Sequence, residues 1–202
     1  TDVVSFLNWA AEPEMDARVK ARRALENSLR VALVEGEFTL HYQPIMNLSE
    51  NAISCCEALI RWNHPERGLL APSEFIPIAE ETGLIVAIGE WVLRKACADA
   101  ATWPNNVKVA VNLSPIQMTN PNLMPVVISA LAGSGLPANL LELEITESVM
   151  MQNTEATLAT LHRLRALGVK ISMDDFGTGF SSLSYLRRFP FDKLKIDRSF
   201  IG

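Results

Sequence analysis

The fold class of this chain is decided by two stretches, LLELEITES (140–148) and VKISMDDFG (169–177). Both are short runs rich in Leu, Ile and Val, which is typical of buried strands. The segment between them has the spacing of a helix at about 154–167. A strand, a helix and a second strand form the right-handed crossover unit of a parallel sheet. The two stretches therefore predict a βαβ unit.

The same alternation of strands and helices extends through most of the chain. Strands are predicted at 38–45, 52–62, 107–114 and 192–197, and helices at about 13–35, 73–82, 85–102, 121–133 and 181–188. The connection NLSEN (47–51) is short enough for an antiparallel hairpin, whereas helices separate most later strands. This order fits either an α/β barrel or a doubly wound sheet. No GxGxxG follows a strand, which argues against a dinucleotide-binding fold.

Helix ends are indicated by particular residues. Pro13 suits the first position of the leading helix, and Ser73 suits an N-cap. Asn153 or Thr154, and Ser181 or Ser182, are further candidate N-caps. Gly83, Gly135 and Gly168 are predicted to end helices.

Composition excludes several classes of protein. The chain has 202 residues, of which 49% are hydrophobic, and its 18 basic and 23 acidic residues give a net charge of -5. A net negative charge argues against binding to a DNA or RNA polymer. There is no apolar run long enough for a membrane span and no basic start of a signal peptide. Of the three cysteines, the adjacent Cys55 and Cys56 make an implausible disulfide pair, so a reducing, cytoplasmic location is expected, with no membrane contact from this segment.

Polar residues lie at or near the ends of the predicted strands. They are Glu57, Arg61, Asn112, Glu142, Glu144, Glu147, Asp174, Asp175, Lys193, Lys195 and Asp197. In a barrel of parallel strands, groups at the carboxyl ends converge on one rim. Oxygen ligands without His or Cys favour Mg²⁺ or Mn²⁺, and four or five acidic groups suit two ions, a device for attack at phosphorus.

Each of these residues also has a simpler structural explanation. Glu57 could be an exposed acid on an edge strand, and Asn112 could cap the following turn. The acidic face of 140–148 could point to solvent. Lys193 and Lys195 fall on one face of their strand, so periodicity does not choose between a surface role and a site role.

Seven motifs, in order, resemble the EAL-domain cyclic di-GMP phosphodiesterase family. They are YQPI (42–45), EAL (57–59), GLLAPSEFIPIAEETGLI (68–85), VNLS (111–114), LELEITES (141–148), DDFGTGFSSL (174–183) and KLKIDRSFI (193–201). The resemblance implies a modified TIM (β/α)8 barrel with an antiparallel first strand. It also implies hydrolysis of cyclic di-GMP to linear pGpG, with two Mg²⁺ or Mn²⁺ ions as cofactors.

The resemblance also assigns roles to individual residues. Glu57, Asn112, Glu144, Asp174 and Asp175 match metal ligands, and Glu57 is thereby also catalytic. Lys195 matches the lysine that orients the attacking water, and Glu147 matches a glutamate that anchors the loop after Asp175. Gln43, Leu59 and Arg61 match contacts to the substrate.

The domain organisation implied is a connector helix (1–35) followed by an EAL domain (36–202). The leading helix resembles the connector that joins a GGDEF domain to an EAL domain, which makes an upstream GGDEF domain the expected partner. The last two strand–helix units of the family are expected to follow Gly202, and a homodimer is as consistent as a monomer. The main alternative is an inactive EAL module that binds cyclic di-GMP as a receptor. An unrelated metal-dependent barrel enzyme fits the motifs less well.

Overall fold

A computed structural model describes the backbone of residues 3–146, 149, 154–177 and 189–196, and side chains from residue 19 onward except Thr154. The chain divides into two compact units. The first unit comprises residues 1–39 and 61–84, and the second comprises residues 40–60 and 85–202. Strands β1 and β2 contribute residues to both.

The described elements alternate as the sequence predicts. The helices are α1 (Val3–Glu35), α2 (Pro72–Glu81), α3 (Ile85–Ala100), α4 (Pro115–Met118), α5 (Leu123–Ser134) and α6 (Thr154–Ala166). The strands are β1 (Phe38–Asn47), β2 (Ala52–His64), β3 (Gly68–Leu70), β4 (Lys108–Leu113), β5 (Leu141–Thr146), β6 (Lys170–Phe176) and β7 (Lys193–Ile196). No helix in these ranges is both long and apolar enough to cross a bilayer.

The sheet has the hydrogen-bonded order β1-β2-β4-β5-β6-β7. Pairs β2–β4, β4–β5, β5–β6 and β6–β7 are parallel. A four-residue turn joins β1 to its neighbour β2, and so short a connection requires antiparallel strands. The structure therefore confirms a parallel α/β sheet with an antiparallel first strand, as a modified TIM barrel requires.

The sheet of the second unit has two chemically different faces. Apolar residues such as Val109, Val111, Leu143, Ile145 and Ile171 are fully buried, and they alternate with polar residues on the opposite face. Strands of parallel sheets are normally covered on both faces, and on the polar face Glu142, Glu144 and Ser172 are buried, whereas Asn112 is exposed. The three cysteines are free thiols, and those of Cys55 and Cys97 are buried.

The first unit has its own aromatic core. The ring centroids of Phe38, Trp62 and Phe75 lie 5.7 to 5.9 Å apart, and Trp62 and Phe75 are fully buried. Trp62 Nε1 donates a hydrogen bond of 2.7 Å to Glu37 Oε2, which satisfies the indole inside this core. Strand β3 pairs antiparallel with the end of β2, with Trp62 opposite Leu70.

Two predicted helix starts are wrong. Helix α1 begins at Val3, ten residues before the predicted start, and Pro13 lies inside it. Helix α2 is capped at Ala71 rather than Ser73, because Pro72 occupies the first position and Glu74 Oε1 accepts from the Ala71 N–H at 3.2 Å. The predicted stops at Gly83, Gly135 and Gly168 are confirmed by positive φ values of 75°, 71° and 95°. The predicted helix at 181–188 and the candidate cap Asn153 lie outside the described residues.

Replacement of Gly89 by alanine is expected to destabilise the fold. A Cβ at Gly89, inside α3, would overlap the side-chain amide of Gln117, which is buried and is held in place because its Oε1 accepts from the Ser114 N–H at 3.2 Å. Overpacking of this kind costs about 1–3 kcal/mol. The matched control is Gly133→Ala in α5, where a Cβ meets no atom within 4 Å. We expect Gly133→Ala to raise stability by about 0.5 kcal/mol through helix propensity. Urea unfolding checks both values, and a neutral Gly89→Ala would contradict the packing argument.

Candidate metal centre

Strand register brings polar residues from separate strands together. Asn112 on β4 pairs with Glu144 on β5, and Thr146 on β5 pairs with Asp174 on β6. Paired residues of parallel strands share a face of the sheet, so Asn112, Glu144 and Asp174 lie on the same side. Strand pairing therefore brings their carboxyl and amide groups close together, although the residues are far apart in sequence.

Three carboxylates surround the ammonium group of Lys195. Lys195 Nζ donates to Glu57 Oε2 at 3.0 Å, to Glu144 Oε2 at 2.7 Å and to Asp174 Oδ2 at 2.9 Å. Oxygen atoms of the three carboxylates lie within 4.8 Å of one another. We call Glu57, Glu144, Asp174, Lys195 and Asn112 the candidate metal centre. The simpler explanations, in which Glu57 is an exposed edge acid and Lys195 a surface lysine, therefore do not describe the arrangement that the structure adopts.

Asn112 contacts the cluster and does not cap the next helix. Its Nδ2 donates to Glu57 Oε1 at 2.9 Å. Helix α4 is capped instead by Ser114, whose Oγ accepts from the Gln117 N–H at 3.3 Å while Gln117 Oε1 accepts from the Ser114 N–H at 3.2 Å. This capping box has the sequence signature Ser-x-x-Gln with Pro115 at the first position, a signal that the sequence analysis missed.

The charges of the cluster do not balance. When all three carboxylates are ionised, they and the one ammonium group give a net charge of −2. The Glu144 side chain has 0% exposure, and its burial raises the pKa of Glu144 to about 7 although the bond to Lys195 lowers it. The charges of Glu57 and Asp174 contribute further to this increase. The excess negative charge is what one divalent cation would neutralise.

Lys195 remains protonated in this environment. Burial alone would lower the pKa of Lys195, but hydrogen bonds to Glu144, Asp174 and Glu57 raise it above its ordinary value. An ammonium group held in this way donates hydrogen bonds and positive charge, and it has no free electron pair with which to accept a proton.

The donor set fits a hard divalent cation. Glu144 Oε1 is buried and is one of two side-chain atoms in the described part of the chain that are buried without a hydrogen-bond partner. A buried carboxylate oxygen without a donor is costly unless a cation contacts it. The carboxylates of the cluster and the amide of Asn112 offer oxygen ligands, which Mg²⁺ and Mn²⁺ prefer. Glu57, Asn112, Glu144 and Asp174 would hold such an ion.

The two aspartates at the end of β6 lie in a β-bulge. The pairing with β7 shifts between Met173 and Phe176, where β6 has one more residue than β7. Asp175 has φ +53°, in the left-handed region, and its N–H donates to Asp174 Oδ1 at 3.0 Å. A bulge interrupts the alternation of side chains between the two faces of a sheet, so two consecutive acidic residues can both lie near the same site. Asp175 is exposed and is outside the three carboxylates that converge within 4.8 Å.

The other predicted site residues have separate locations. Gln43 is exposed on β1, and Leu59 is half-buried on β2, two positions after Glu57. Arg61 is half-buried and belongs to the first unit. Their contacts with a substrate remain predictions. Glu147 lies outside the described residues, so its predicted role also remains a prediction.

Comparison with known proteins gives a consistent set of relatives. The family model for the EAL domain matches residues 26–202. An uncharacterized protein of Sinorhizobium fredii, y4lL, is 56% identical over 191 residues, which are 95% of this chain and 23% of that protein. The cyclic di-GMP phosphodiesterase NbdA of Pseudomonas aeruginosa is 48% identical over 181 residues, which are 88% of this chain and 23% of that protein. The chain spans about a quarter of the length of the curated relatives that it matches first.

Solved structures include a similar protein with a bound nucleotide. The Pseudomonas aeruginosa MucR phosphodiesterase in complex with cyclic di-GMP superposes with a TM-score of 0.84 at 47% identity. The alignment covers 88% of this chain and 74% of that chain.

Proposed function

Because this chain belongs to the EAL domain family, we propose that it is a divalent-cation-dependent phosphodiesterase that hydrolyses cyclic di-GMP to linear pGpG. The observation that supports this proposal most strongly is the convergence of Glu57, Glu144 and Asp174 on Lys195, with one buried carboxylate oxygen left without a donor. The choice of cyclic di-GMP as the substrate is supported by similar proteins that are named as phosphodiesterases or bind this nucleotide.

Most residues of the cluster would act as ligands of divalent cations. Glu57, Asn112, Glu144 and Asp174 would hold the first cation, and Asp175 would contribute to the second. Bound divalent cations would offset the charge of the phosphodiester and make water a better nucleophile. Glu147 would anchor the loop that carries Asp175. Hydrogen bonds from Asn112 and Lys195 hold the Glu57 carboxylate in a fixed orientation.

Lys195 would act as a charged hydrogen-bond donor. Its raised pKa keeps the ammonium form at neutral pH, which favours a role in orienting water and stabilising negative charge over that of a base. Gln43, Leu59 and Arg61 would contact the substrate. The guanidinium group of Arg61 is suited to bind a phosphate with two parallel hydrogen bonds.

Incubation of the protein with cyclic di-GMP tests this function. We expect linear pGpG to form with Mg²⁺ or Mn²⁺, to stop when a chelator removes the cation, and to resume when either ion is restored. Chromatography of the nucleotides measures the product, and calorimetry measures binding of cyclic di-GMP. Binding without any hydrolysis would contradict the proposal and support the receptor alternative. Mg²⁺ binding with no affinity for cyclic di-GMP would point to an unrelated metal-dependent enzyme.

A further inference from the structure

A second ion pair lies on the same face of the sheet as the candidate metal centre. Lys193 Nζ on β7 donates to Glu142 Oε1 on β5. Register places Lys193 beside Ser172 of β6, and Ser172 beside Glu144 of β5. Lys193 therefore reaches across β6 to form this pair. The side chain of Glu142 is 5% exposed, so this pair is largely buried on its acidic side.

The two ion pairs form two successive levels of the sheet. Glu142 and Glu144 are two positions apart on β5, and Lys193 and Lys195 are two positions apart on β7. Lys193 meets Glu142, and Lys195 meets Glu144. A rise of about 3.3 Å per residue separates the levels by roughly 7 Å, which a flexible lysine side chain can span. Each lysine could thus also reach the glutamate of the other level. The observed pairing is therefore one of two that the spacing of these residues allows.

The surroundings of Glu142 make Lys193 its neutralising partner. Burial, with the nearby charge of Glu142, raises the pKa of the Cys55 thiol to about 12, so Cys55 adds no charge at this level. Lys170 is in register with Glu142, but its ammonium group donates to Asp192 Oδ1 at 3.0 Å. A buried carboxylate that loses its paired cation carries a large free-energy cost and attracts another cation.

We propose that Glu142 and Lys193 are a positioning pair for Lys195. Because Lys193 satisfies Glu142, Lys195 stays among the three carboxylates of the metal centre. Without Lys193, the unpaired carboxylate of Glu142 attracts the ammonium group of Lys195, which then leaves the three carboxylates of the metal centre. The metal centre then loses a positive charge, so it binds a cation more tightly while it loses the group that orients water. The effect on catalysis rests on the proposed function, whereas the effect on cation affinity does not.

Three variants and a control test the positioning pair. They are Lys193→Met, Glu142→Leu, the double variant, and the control Lys170→Met, which removes the lysine in register with Glu142 on β6. For Lys193→Met we expect kcat to fall about tenfold with KM nearly unchanged, as for loss of an interaction made only in the transition state. Calorimetric Mn²⁺ affinity without nucleotide should rise about tenfold toward that of Lys195→Met.

The remaining variants separate positioning from stability. The double variant replaces a buried ion pair with apolar groups, a change that proteins usually tolerate, and it should restore kcat and Mn²⁺ affinity. Glu142→Leu frees Lys193 to approach Glu144 and should weaken Mn²⁺ binding. Lys170→Met should leave kcat and Mn²⁺ affinity unchanged even if it lowers the melting temperature.

Several results would overturn the positioning pair. Lys193→Met with unchanged kcat and unchanged Mn²⁺ affinity would do so, whatever its melting temperature. If Lys170→Met changed kcat and Mn²⁺ affinity as much as Lys193→Met does, the effect would come from general anchoring of the strand. If the double variant had the same kcat and Mn²⁺ affinity as Lys193→Met, the unpaired charge of Glu142 would not be the cause. If the parent protein binds Mn²⁺ but does not hydrolyse cyclic di-GMP, the proposed function fails, and the Mn²⁺ affinities still decide the positioning pair.

Discussion

Replacement of Glu57 by alanine is expected to abolish hydrolysis of cyclic di-GMP, with kcat lowered about a thousandfold or more. Glu57 presents one oxygen to Asn112 and the other to Lys195, so its removal takes this acceptor from Asn112 and leaves Lys195 with two of its three carboxylate acceptors. It also removes one of the three carboxylates that converge within 4.8 Å. Loss of activity and loss of Mn²⁺ affinity should therefore occur together. Turnover at saturating Mg²⁺ and Mn²⁺ calorimetry measure the two effects.

Two further variants isolate the charge of Glu57. Glu57→Gln keeps an oxygen acceptor for Asn112 and nearly the same volume, and we expect it to be as inactive as alanine because the negative charge is lost. Glu50→Ala is the matched control, since Glu50 is an exposed glutamate in the turn between β1 and β2. It should have the kcat of the parent protein. Retention of more than about a tenth of the parent turnover by folded Glu57→Ala would exclude Glu57 as an essential ligand.

Replacement of Lys195 by methionine is expected to lower kcat by a factor of about 10² to 10³ while KM changes little. The ammonium group contacts three carboxylates, and its side chain has 22% exposure. Its loss changes the net charge of the cluster from −2 to −3. The cation should consequently bind more tightly although the enzyme is slower. This combination is diagnostic, because general damage to the site would weaken both.

Steady-state kinetics and Mn²⁺ calorimetry on the same preparation check the Lys195 prediction. Lys170→Met serves as the control, since Lys170 is a lysine of the neighbouring strand that pairs with Asp192 rather than with the cluster. A purely raised KM with normal kcat would assign Lys195 to substrate binding. A weaker affinity for Mn²⁺ would contradict the charge argument.

The central part of the fold could be predicted from local sequence because strands and helices have different periods. The alternation in LELEIT placed Glu142 and Glu144 on one face, and the structure buries that face. Alternation alone left open whether the face was interior or in solvent. That question depends on pairing with β4 and β6, which are formed by residues distant in sequence.

The contacts that local sequence patterns could not predict lie across the sheet. Lys195 could be placed on a strand, but its bond to Glu57 joins residues 138 positions apart. The pairing of Lys193 with Glu142 spans 51 positions and has no local signature beyond the equal spacing in KLK and ELE. The start of α1 was missed for a different reason, since Pro13 was given more weight than the helix-compatible residues before it.

The separation of Glu57 and Lys195 along the chain has a consequence for folding kinetics. Their contact closes a loop of 138 residues and requires the sheet from β2 to β7 to be in place. Contacts of such long range form late and slow the folding of a domain, because the loss of chain entropy precedes the gain in energy. A nascent chain that has emerged only as far as β6 carries three clustered acids without their lysine. The complete candidate metal centre can therefore form only after β7 has joined the sheet.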